Sequence, residues 1–232
     1  MVRNFFLGGV GLTIIGLGGL IYGVNLAGTI GTIFASTGLF VLISGVIFLL
    51  TGIVMIWSSR SGKMRARDHL LDGLQLQGHE TVLDVGCGRG LLLIGAAKRL
   101  PRGHALGIDL WSQEDLGDNR KDATLANARA EGVAERIEVV DGDMRKLPFA
   151  DASVDAVVAN LSIHNIDSRE GRRETINEIV RVLKPDGKVA LMDFEHVKEY
   201  AEDLQAAGMQ DVGVPGRRFW IYPPVRIARG NR

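Results

Sequence analysis

Val82-Leu83-Asp84-Val85-Gly86-Cys87-Gly88-Arg89-Gly90 is the stretch that decides the fold of this 232-residue chain. A short apolar run ends in three glycines at alternate positions, and a helical pattern begins immediately after them. A glycine-rich turn between a strand and a helix lets a ligand approach the backbone closely, because no Cβ atoms stand in the way. We therefore predict a ligand site where a first strand meets its helix.

The same turn argues against a dinucleotide as the ligand. A G-x-G-x-x-G motif that starts at Gly86 would place its third glycine at position 91, where this chain has Leu91. Helix N-terminal amides aimed at a pyrophosphate suit anions, whereas Asp84 makes this turn acidic. An acidic turn favours a cationic ligand.

Short apolar runs alternate with helical patterns from Thr81 onward, which is typical of βαβ units and a parallel sheet. We predict strands at residues 81–85, 104–108, 137–140, 154–159 and 188–192, with shorter ones near 211–214 and 225–229. Predicted helices cover residues 91–100, 123–130 and 197–207, and another, around Ile176, is ended by Pro185 and Gly187. The fold class is therefore α/β, with seven mostly parallel strands, helices on both faces and the last strand antiparallel.

The N-terminal part of the chain has a different composition. No Asp, Glu, Lys, Arg or His occurs between Arg3 and Arg60, and this stretch holds two apolar lengths, residues 5–24 and 31–57. Each is long enough for a spanning helix, which needs about 20 residues, and residues 25–32 make the turn. A cleaved signal peptide is the alternative, but its apolar core runs only about 7 to 15 residues. Gly19 and Gly23 stand in small-xxx-small spacing, which would let two helices approach closely, although glycine is also simply common in spanning helices.

The charges that flank these spans predict the topology. They are all basic and lie on one side of the hairpin, namely Arg3, Arg60, Lys63, Arg65 and Arg67. The positive-inside rule then puts both termini and the following domain in the cytoplasm of a membrane-anchored protein. We divide the chain into an anchor at 1–59, a linker with an amphipathic helix at 60–79, and a domain at 80–232. The basic helix start could lie on lipid headgroups or be a solvated linker.

The overall charge excludes some partners. The chain has 27 basic and 27 acidic residues, but every residue before Asp68 that carries a charge is basic, so the remainder is net acidic. Nucleic acid is therefore not expected as a partner, because phosphate neutralisation needs a basic surface. The single cysteine, Cys87, rules out an internal disulfide and fits a reducing compartment. No Cys/His cluster with zinc spacing appears, and no metal is expected.

Further motifs extend the pattern of the first turn. In chain order they are Gly107-Ile108-Asp109-Leu110, Gly142-Asp143-Met144, Leu147-Pro148-Phe149, residues 155–160 and Arg181-Val182-Leu183-Lys184-Pro185-Asp186-Gly187. Together with the stretch 82–90, this ordered set resembles the class I methyltransferases, which use S-adenosylmethionine. The resemblance covers about residues 64–214 and implies a Rossmann-like fold. The cofactor's ammonium and sulfonium would suit the acidic turn.

The resemblance also implies which residues bind the cofactor. The glycine turn would pass beneath its methionine portion, the carboxylate of Asp109 would accept hydrogen bonds from the ribose hydroxyls, and Asp143 would take the exocyclic amine of adenine. The complete implied set is Asp84, Gly86, Cys87, Gly88, Gly90, Asp109, Leu110, Asp143, Met144 and Asn160. For Asp84 the alternative is a structural cap. We interpret Cys87 as a small residue that fits the turn, since direct methyl transfer needs no enzyme nucleophile.

Two residues near the expected site are open to more than one interpretation. His164 lies just past the fourth strand, where this fold places reacting groups, and it could act as a general base at neutral pH. It could equally cap a loop or orient a neighbour. Trp111 could cover the adenine or simply pack. The loop 111–121 is longer than a minimal connection of about 2 to 6 residues, and we consider it a candidate lid.

The sequence therefore predicts a membrane-anchored methyltransferase that acts on a small-molecule or lipid-like acceptor. A protein methyltransferase working near the membrane is the first alternative, and a cofactor-binding scaffold without turnover is the second. Almost no insertion separates the fifth strand from the next helix, where many relatives carry substrate-recognition elements, so the resemblance does not identify the acceptor.

Overall fold

A computed structural model of the chain describes residues 2–57, 61–112 and 119–232. Contacts divide it into two compact units, Met1–Lys63 and Met64–Arg232. The predicted three-part division of the chain stays a prediction. Most of the predicted lid lies outside the described residues.

The first unit is a helical hairpin of α1 (Val2–Val24) and α2 (Gly28–Trp57). The interhelical contact runs along glycines spaced seven residues apart. On α1 they are Gly9, Gly16 and Gly23, and on α2 they are Gly31, Gly38, Gly45 and Gly52. A Cβ atom at Gly16, Gly23 or Gly38 would lie 2.2 Å from a backbone nitrogen of the opposite helix. The two backbones therefore touch because side chains are absent, and the seven-residue period repeats this contact along the hairpin as far as Gly45.

The outer surface of this hairpin is apolar. Residues Asn4–Val24 and Gly28–Trp57 are each long and apolar enough to cross a membrane. In each helix, only 11% of the apolar 18-residue stretch is buried inside the structure. A core helix of a soluble protein that passes the same test is mostly buried. Side chains such as Ile15 and Phe40 are instead about two-thirds exposed or more, at 67% and 72%.

The second unit opens with α3 (Lys63–Asp72) and then alternates strands and helices. The strands are β1 (Thr81–Val85), β2 (His104–Asp109), β3 (Ile137–Asp141), β4 (Val154–Asn160), β5 (Leu183–Asp193), β6 (Gln210–Gly213) and β7 (Arg226–Asn231). The helices are α4 (Leu91–Arg99), α5 (Lys121–Ala130), α6 (Arg169–Val182) and α7 (Val197–Ala206). The sheet order is β3-β2-β1-β4-β5-β7-β6, parallel from β3 to β5, with β7 antiparallel to both neighbours.

The central strands explain why the sheet forms. β1 and β4 are buried along almost their whole length, and Leu83 pairs with Val157 at the centre. Continuous apolar strands of this kind belong to parallel sheets that are covered on both faces by helices. Because the strands are parallel, the carboxyl ends of β1, β2, β4 and β5 meet at one edge, and the glycine turn lies there.

The predicted fold class is confirmed, whereas one predicted helix end is wrong. Pro185 and Gly187 do not end α6, which stops at Val182, and both residues lie inside β5. Pro185 pushes Lys184, the residue before it, towards extended backbone, and the chain is already extended one residue earlier, at Leu183. The turn between the hairpin helices is also shorter than predicted, because α2 begins at Gly28.

Candidate active site

The glycine turn after β1 is built from left-handed backbone. Gly86, Gly88 and Gly90 have φ of 73°, 49° and 88°, which favour glycine. The amides of Gly86 and Cys87 both donate to the carbonyl of Ile108, at 2.8 and 3.1 Å. These bonds fix the turn to β2 at the edge of the sheet.

Two side chains from α5 hold the same turn from outside. Thr124 is buried, and its Oγ1 donates to the carbonyl of Gly88 at 2.5 Å. Asn127 Nδ2 donates to the carbonyl of Arg89 at 3.0 Å. The sequence analysis missed both residues, although their position on the helix that follows β2 was a usable signal.

Asp84 is fully buried behind the turn. Its Oδ2 accepts a hydrogen bond from the amide of Leu93 at 2.9 Å, which joins β1 to the first turn of α4. Burial raises the pKa of this carboxyl to about 7; the Leu93 amide opposes the shift and the charge of Asp109 adds to it. The hydrogen bond to Leu93 supports a structural role for Asp84. A bound cation would favour the charged form of the carboxyl, so its electrostatics support the predicted cofactor role as well.

Asp109 is the last residue of β2 and faces the glycine turn. Its Oδ2 accepts from the amide of Gly88 at 2.8 Å, and its Oδ1 accepts from the amide of Trp111 and from Asn119 Nδ2 at 2.7 and 3.1 Å. A carboxylate offers about four acceptor positions, so ribose hydroxyls would share this group with protein donors. The next residue, Leu110, is 62% exposed and offers an apolar surface beside it.

Asp143 and Met144 follow β3 at the same edge. Arg145 donates to both carboxylate oxygens of Asp143, with Nη2 2.6 Å from Oδ2, and this contact lowers the pKa of Asp143. The predicted adenine contact would therefore have to share a carboxylate that is already paired. Met144 lies close to the turn, since a Cβ atom on Gly86 would be 3.2 Å from its Cε.

Asn160 ends β4 beside β1, and its side-chain oxygen is available to accept a hydrogen bond from a ligand. Its Oδ1 is buried and has no hydrogen-bond partner within the described parts of the chain. Buried acceptors are almost always paired, and a ligand ammonium would satisfy this one. This unpaired acceptor and the acidic glycine turn beside it fit the cationic groups of S-adenosylmethionine.

Cys87 is buried against β2 rather than presented to a ligand. A Cβ atom on Gly107 would lie 2.9 Å from its Sγ. Burial, with smaller contributions from the charges of Asp84 and Asp109, raises the pKa of the thiol far above its usual value. The thiol therefore stays protonated, in agreement with the interpretation of Cys87 as a packing residue.

His164 pairs with a carboxylate that the sequence analysis did not identify. It lies in a single helical turn after β4, and its Nδ1 is 2.8 Å from Oδ1 of Asp193, the last residue of β5. Asp193 is buried and also accepts from the amide of Phe194 at 2.9 Å and from the hydroxyl of Tyr200 at 3.3 Å. The ring of Phe194 lies 4.4 Å from the imidazole. Asp193 could have been found from its place at the end of the strand next to β4.

Two other neighbours of the turn have local partners. Trp111 packs partly buried against the core and donates from Nε1 to Asp141 at 2.7 Å, which favours the packing interpretation. Ser162, which the sequence analysis missed, donates to the carbonyl of Val85 at 2.8 Å. A Cβ atom on Gly86 would lie 2.4 Å from the Cβ of Ser162, so this contact requires a glycine.

Sheet order, glycine turn and strand-end carboxylate together define an α/β domain of the class I methyltransferase type. The family model described as a methyltransferase domain matches residues 83–191. This part of the chain is therefore a methyltransferase domain, and the cofactor of such domains is S-adenosylmethionine.

Known proteins with similar sequences carry the same type of domain. A demethylmenaquinone methyltransferase of Lactobacillus johnsonii is 32% identical over 122 residues, covering 52% of this chain and 46% of its own. An arsenite methyltransferase of Halobacterium salinarum is 32% identical over 127 residues, covering 54% of this chain and 30% of its own. The chain thus spans about half or less of the length of these relatives.

A solved structure agrees in fold. The S-adenosylmethionine-dependent methyltransferase from Aquifex aeolicus superposes with a TM-score of 0.57 at 21% identity, covering 71% of this chain and 88% of that one. At this identity the likeness concerns the fold alone.

Removing the Asp109 carboxylate should weaken S-adenosylmethionine and S-adenosylhomocysteine alike, because both carry the same ribose. Each charge-assisted hydrogen bond is worth roughly 1.5 to 3 kcal/mol, so Asp109→Ala should cost about tenfold or more in affinity by calorimetric titration. Asp151→Ala, which removes an exposed carboxylate paired with Arg181, is the matched control and should leave both affinities unchanged. Unchanged binding to Asp109→Ala would contradict the ribose assignment.

Asp84 should make stability depend on pH. Because its pKa is raised, the folded protein holds this proton more tightly than the unfolded chain, and the resulting stabilisation is lost as the pH rises through about 7. Asp84→Asn keeps an acceptor for the Leu93 amide but has no proton to lose. Between about pH 5.5 and 8.5, the thermal midpoint of the wild type should fall relative to that of Asp84→Asn. Parallel midpoints would show that Asp84 does not titrate in this range.

Proposed function

We propose that this protein is a membrane-anchored methyltransferase that transfers the methyl group of S-adenosylmethionine to a small-molecule or lipid-like acceptor. The observation that carries the proposal is the pairing of His164 with buried Asp193 at the sheet edge that also bears the glycine turn. A scaffold that only binds the cofactor would need the glycine turn, but it would not need a histidine held beside a buried carboxylate.

Bound S-adenosylmethionine supplies an activated methyl group that is open to attack by a nucleophile. His164 takes the proton that the acceptor's oxygen, nitrogen or carbon loses as the new bond to the methyl group forms. An imidazole protonated on Nδ1 would carry its basic lone pair on Nε2, and the Asp193 carboxylate, whose Oδ1 lies 2.8 Å from Nδ1, would stabilise the imidazolium that results. Burial and the charge of Asp193 raise the pKa of Tyr200, so its hydroxyl remains a donor to Asp193.

The rest of the rate enhancement comes from positioning the acceptor and the methyl donor for attack. Near-attack geometry alone can contribute about 7 to 11 kcal/mol. On the cofactor side, this geometry is held by the backbone hydrogen bonds from Gly86 and Cys87 to Ile108. The hydrogen bond from Gly88 to Asp109 adds to them. Leu161, Phe194 and Trp220 are partly buried against the core near the same edge and offer apolar surface that excludes water.

Two observations support a lipid-like acceptor. The apolar hairpin would hold the domain at a membrane, where such acceptors are concentrated. One relative is named for demethylmenaquinone, a lipid-soluble molecule, although another is named for arsenite. The protein-methyltransferase alternative rests on the same membrane location and on a relative that is named for a ribosomal protein.

The acceptor class can be tested with radiolabelled methyl donor and membranes that contain the full chain. Label should appear in the lipid extract. The amount of label should fall by a factor of about 10² to 10⁴ with His164→Ala, because a general base is lost. Binding of S-adenosylhomocysteine should stay unchanged. His104→Ala, an exposed histidine at the start of β2, is the control. Label only in polypeptide would favour the protein-methyltransferase alternative, and no release of S-adenosylhomocysteine would indicate a scaffold.

The membrane orientation is a further part of the proposal. The basic residues around the hairpin support an orientation with both termini and the catalytic domain in the cytoplasm. A protease added outside sealed cells should therefore leave the domain intact, whereas permeabilised cells should show its cleavage. Cleavage in sealed cells would mean that the orientation is reversed.

A further inference from the structure

We propose that the methyl acceptor carries an anionic group, a carboxylate or a phosphate, which Lys198, Arg217 and Arg226 bind beside the reacting position. This inference rests on the proposed function and adds to it the charge of the substrate. We call these three residues the cationic cluster.

The cationic cluster lines one pocket, which Phe194, His196 and Glu199 complete. Its members come from separate parts of the chain, since Lys198 is on α7, Arg217 follows β6 and Arg226 begins β7. Residues far apart in sequence therefore converge on one concave site. A run of neighbouring lysines on a solvated helix face would not do so.

The pocket adjoins the proposed catalytic pair. Arg226 is the register partner of Asp193 in the pairing of β5 with β7. Phe194 both lines the pocket and lies with its ring 4.4 Å from the ring of His164. An acceptor whose nucleophilic atom is at His164 would therefore pass over Phe194 and place its next substituent among these cations.

The lining of the pocket carries more positive than negative charge. Glu199 is the carboxylate lining the pocket, and it is already engaged by Arg172 and His196, both at 2.9 Å, and by Arg169 at 3.3 Å. Within the described ranges, no residue forms a side-chain hydrogen bond or ion pair with Lys198, Arg217 or Arg226. A cleft lined with one sign of charge raises the local concentration of the opposite ion.

The residue types indicate the chemistry of the ligand. Arginine presents its donors in a planar fork that matches carboxylate and phosphate groups, and lysine adds a point charge. An uncharged sugar or alcohol could accept hydrogen bonds from these residues but would gain no attraction between opposite charges.

Dodecyl phosphate and dodecanol are suitable probes, because they differ only in the head group. Calorimetry would use the full chain in neutral detergent, saturated with S-adenosylhomocysteine. We expect the wild type to prefer the phosphate, and the double variant Arg217→Gln/Arg226→Gln to bind it at least about tenfold more weakly, as losing one charge-assisted hydrogen bond predicts. Its affinities for dodecanol and S-adenosylhomocysteine should not change, which also reports on folding. Equal affinity of the wild type for both probes would overturn the proposal.

The control is Arg102→Gln/Arg173→Gln, which removes two exposed arginines that do not line the pocket. An equal loss of phosphate binding in this control would mean that net charge acts, not the cluster, and the proposal would fail.

An anionic lipid headgroup has the same chemistry as an anionic acceptor, so lipid composition must be varied. In nanodiscs of phosphatidylcholine, affinity for dodecyl phosphate should equal that in nanodiscs of phosphatidylglycerol. A loss of affinity in phosphatidylglycerol that the double variant does not show would assign the pocket to lipid and overturn the acceptor assignment. These binding measurements are independent of methyl transfer, so label found only in polypeptide would refute the proposed function without deciding this inference.

Discussion

The hydrogen bond from the amide of Gly88 to the carboxylate of Asp109, 2.8 Å long, is the contact on which the rest of the cofactor site depends. It joins the turn after β1 to the end of β2, and the two amide bonds to Ile108 give it a second attachment. The turn can bend this sharply only because its glycines accept left-handed backbone. Without this closure the turn would not stay flat against the sheet edge, and Asn160 and Met144 would have no fixed surface to face.

This closure brings two carboxyl groups close together, and their environments separate their roles. Asp109 is partly exposed and accepts three protein hydrogen bonds. Asp84 is buried with one bond from Leu93, and burial together with the charge of Asp109 raises its pKa to about 7. A cationic ligand at the turn would offset the repulsion between them, so the acidic turn is most stable when a cation is bound. A cation at the turn is also what its acidic sequence predicts.

The parts that could be predicted from sequence are those set by local pattern. β1 was predicted with its observed bounds, and the glycine turn needed only its own residues. The end of α6 was predicted too late, because the chain already becomes extended at Leu183, two residues before Pro185. Asp193 and Thr124 had a signal in their places at a strand end and on the helix after β2, but their contacts did not. The cationic cluster could not be predicted, since only the sheet order brings its members together.

The contrast between local sequence patterns and contacts between distant residues also explains why the relatives do not identify the acceptor. The methyltransferase domain match ends at residue 191, just before Asp193, so the cofactor turn lies inside it and the carboxylate partner of His164 lies beyond it. Lys198, Arg217 and Arg226 also lie beyond it. The family match therefore covers the elements proposed to hold the donor, whereas the residues proposed to hold the acceptor come from α7, the β6–β7 connection and the start of β7. Since an acceptor is selected by the groups it touches, the charge of that region is a better guide to the substrate than the name of any relative.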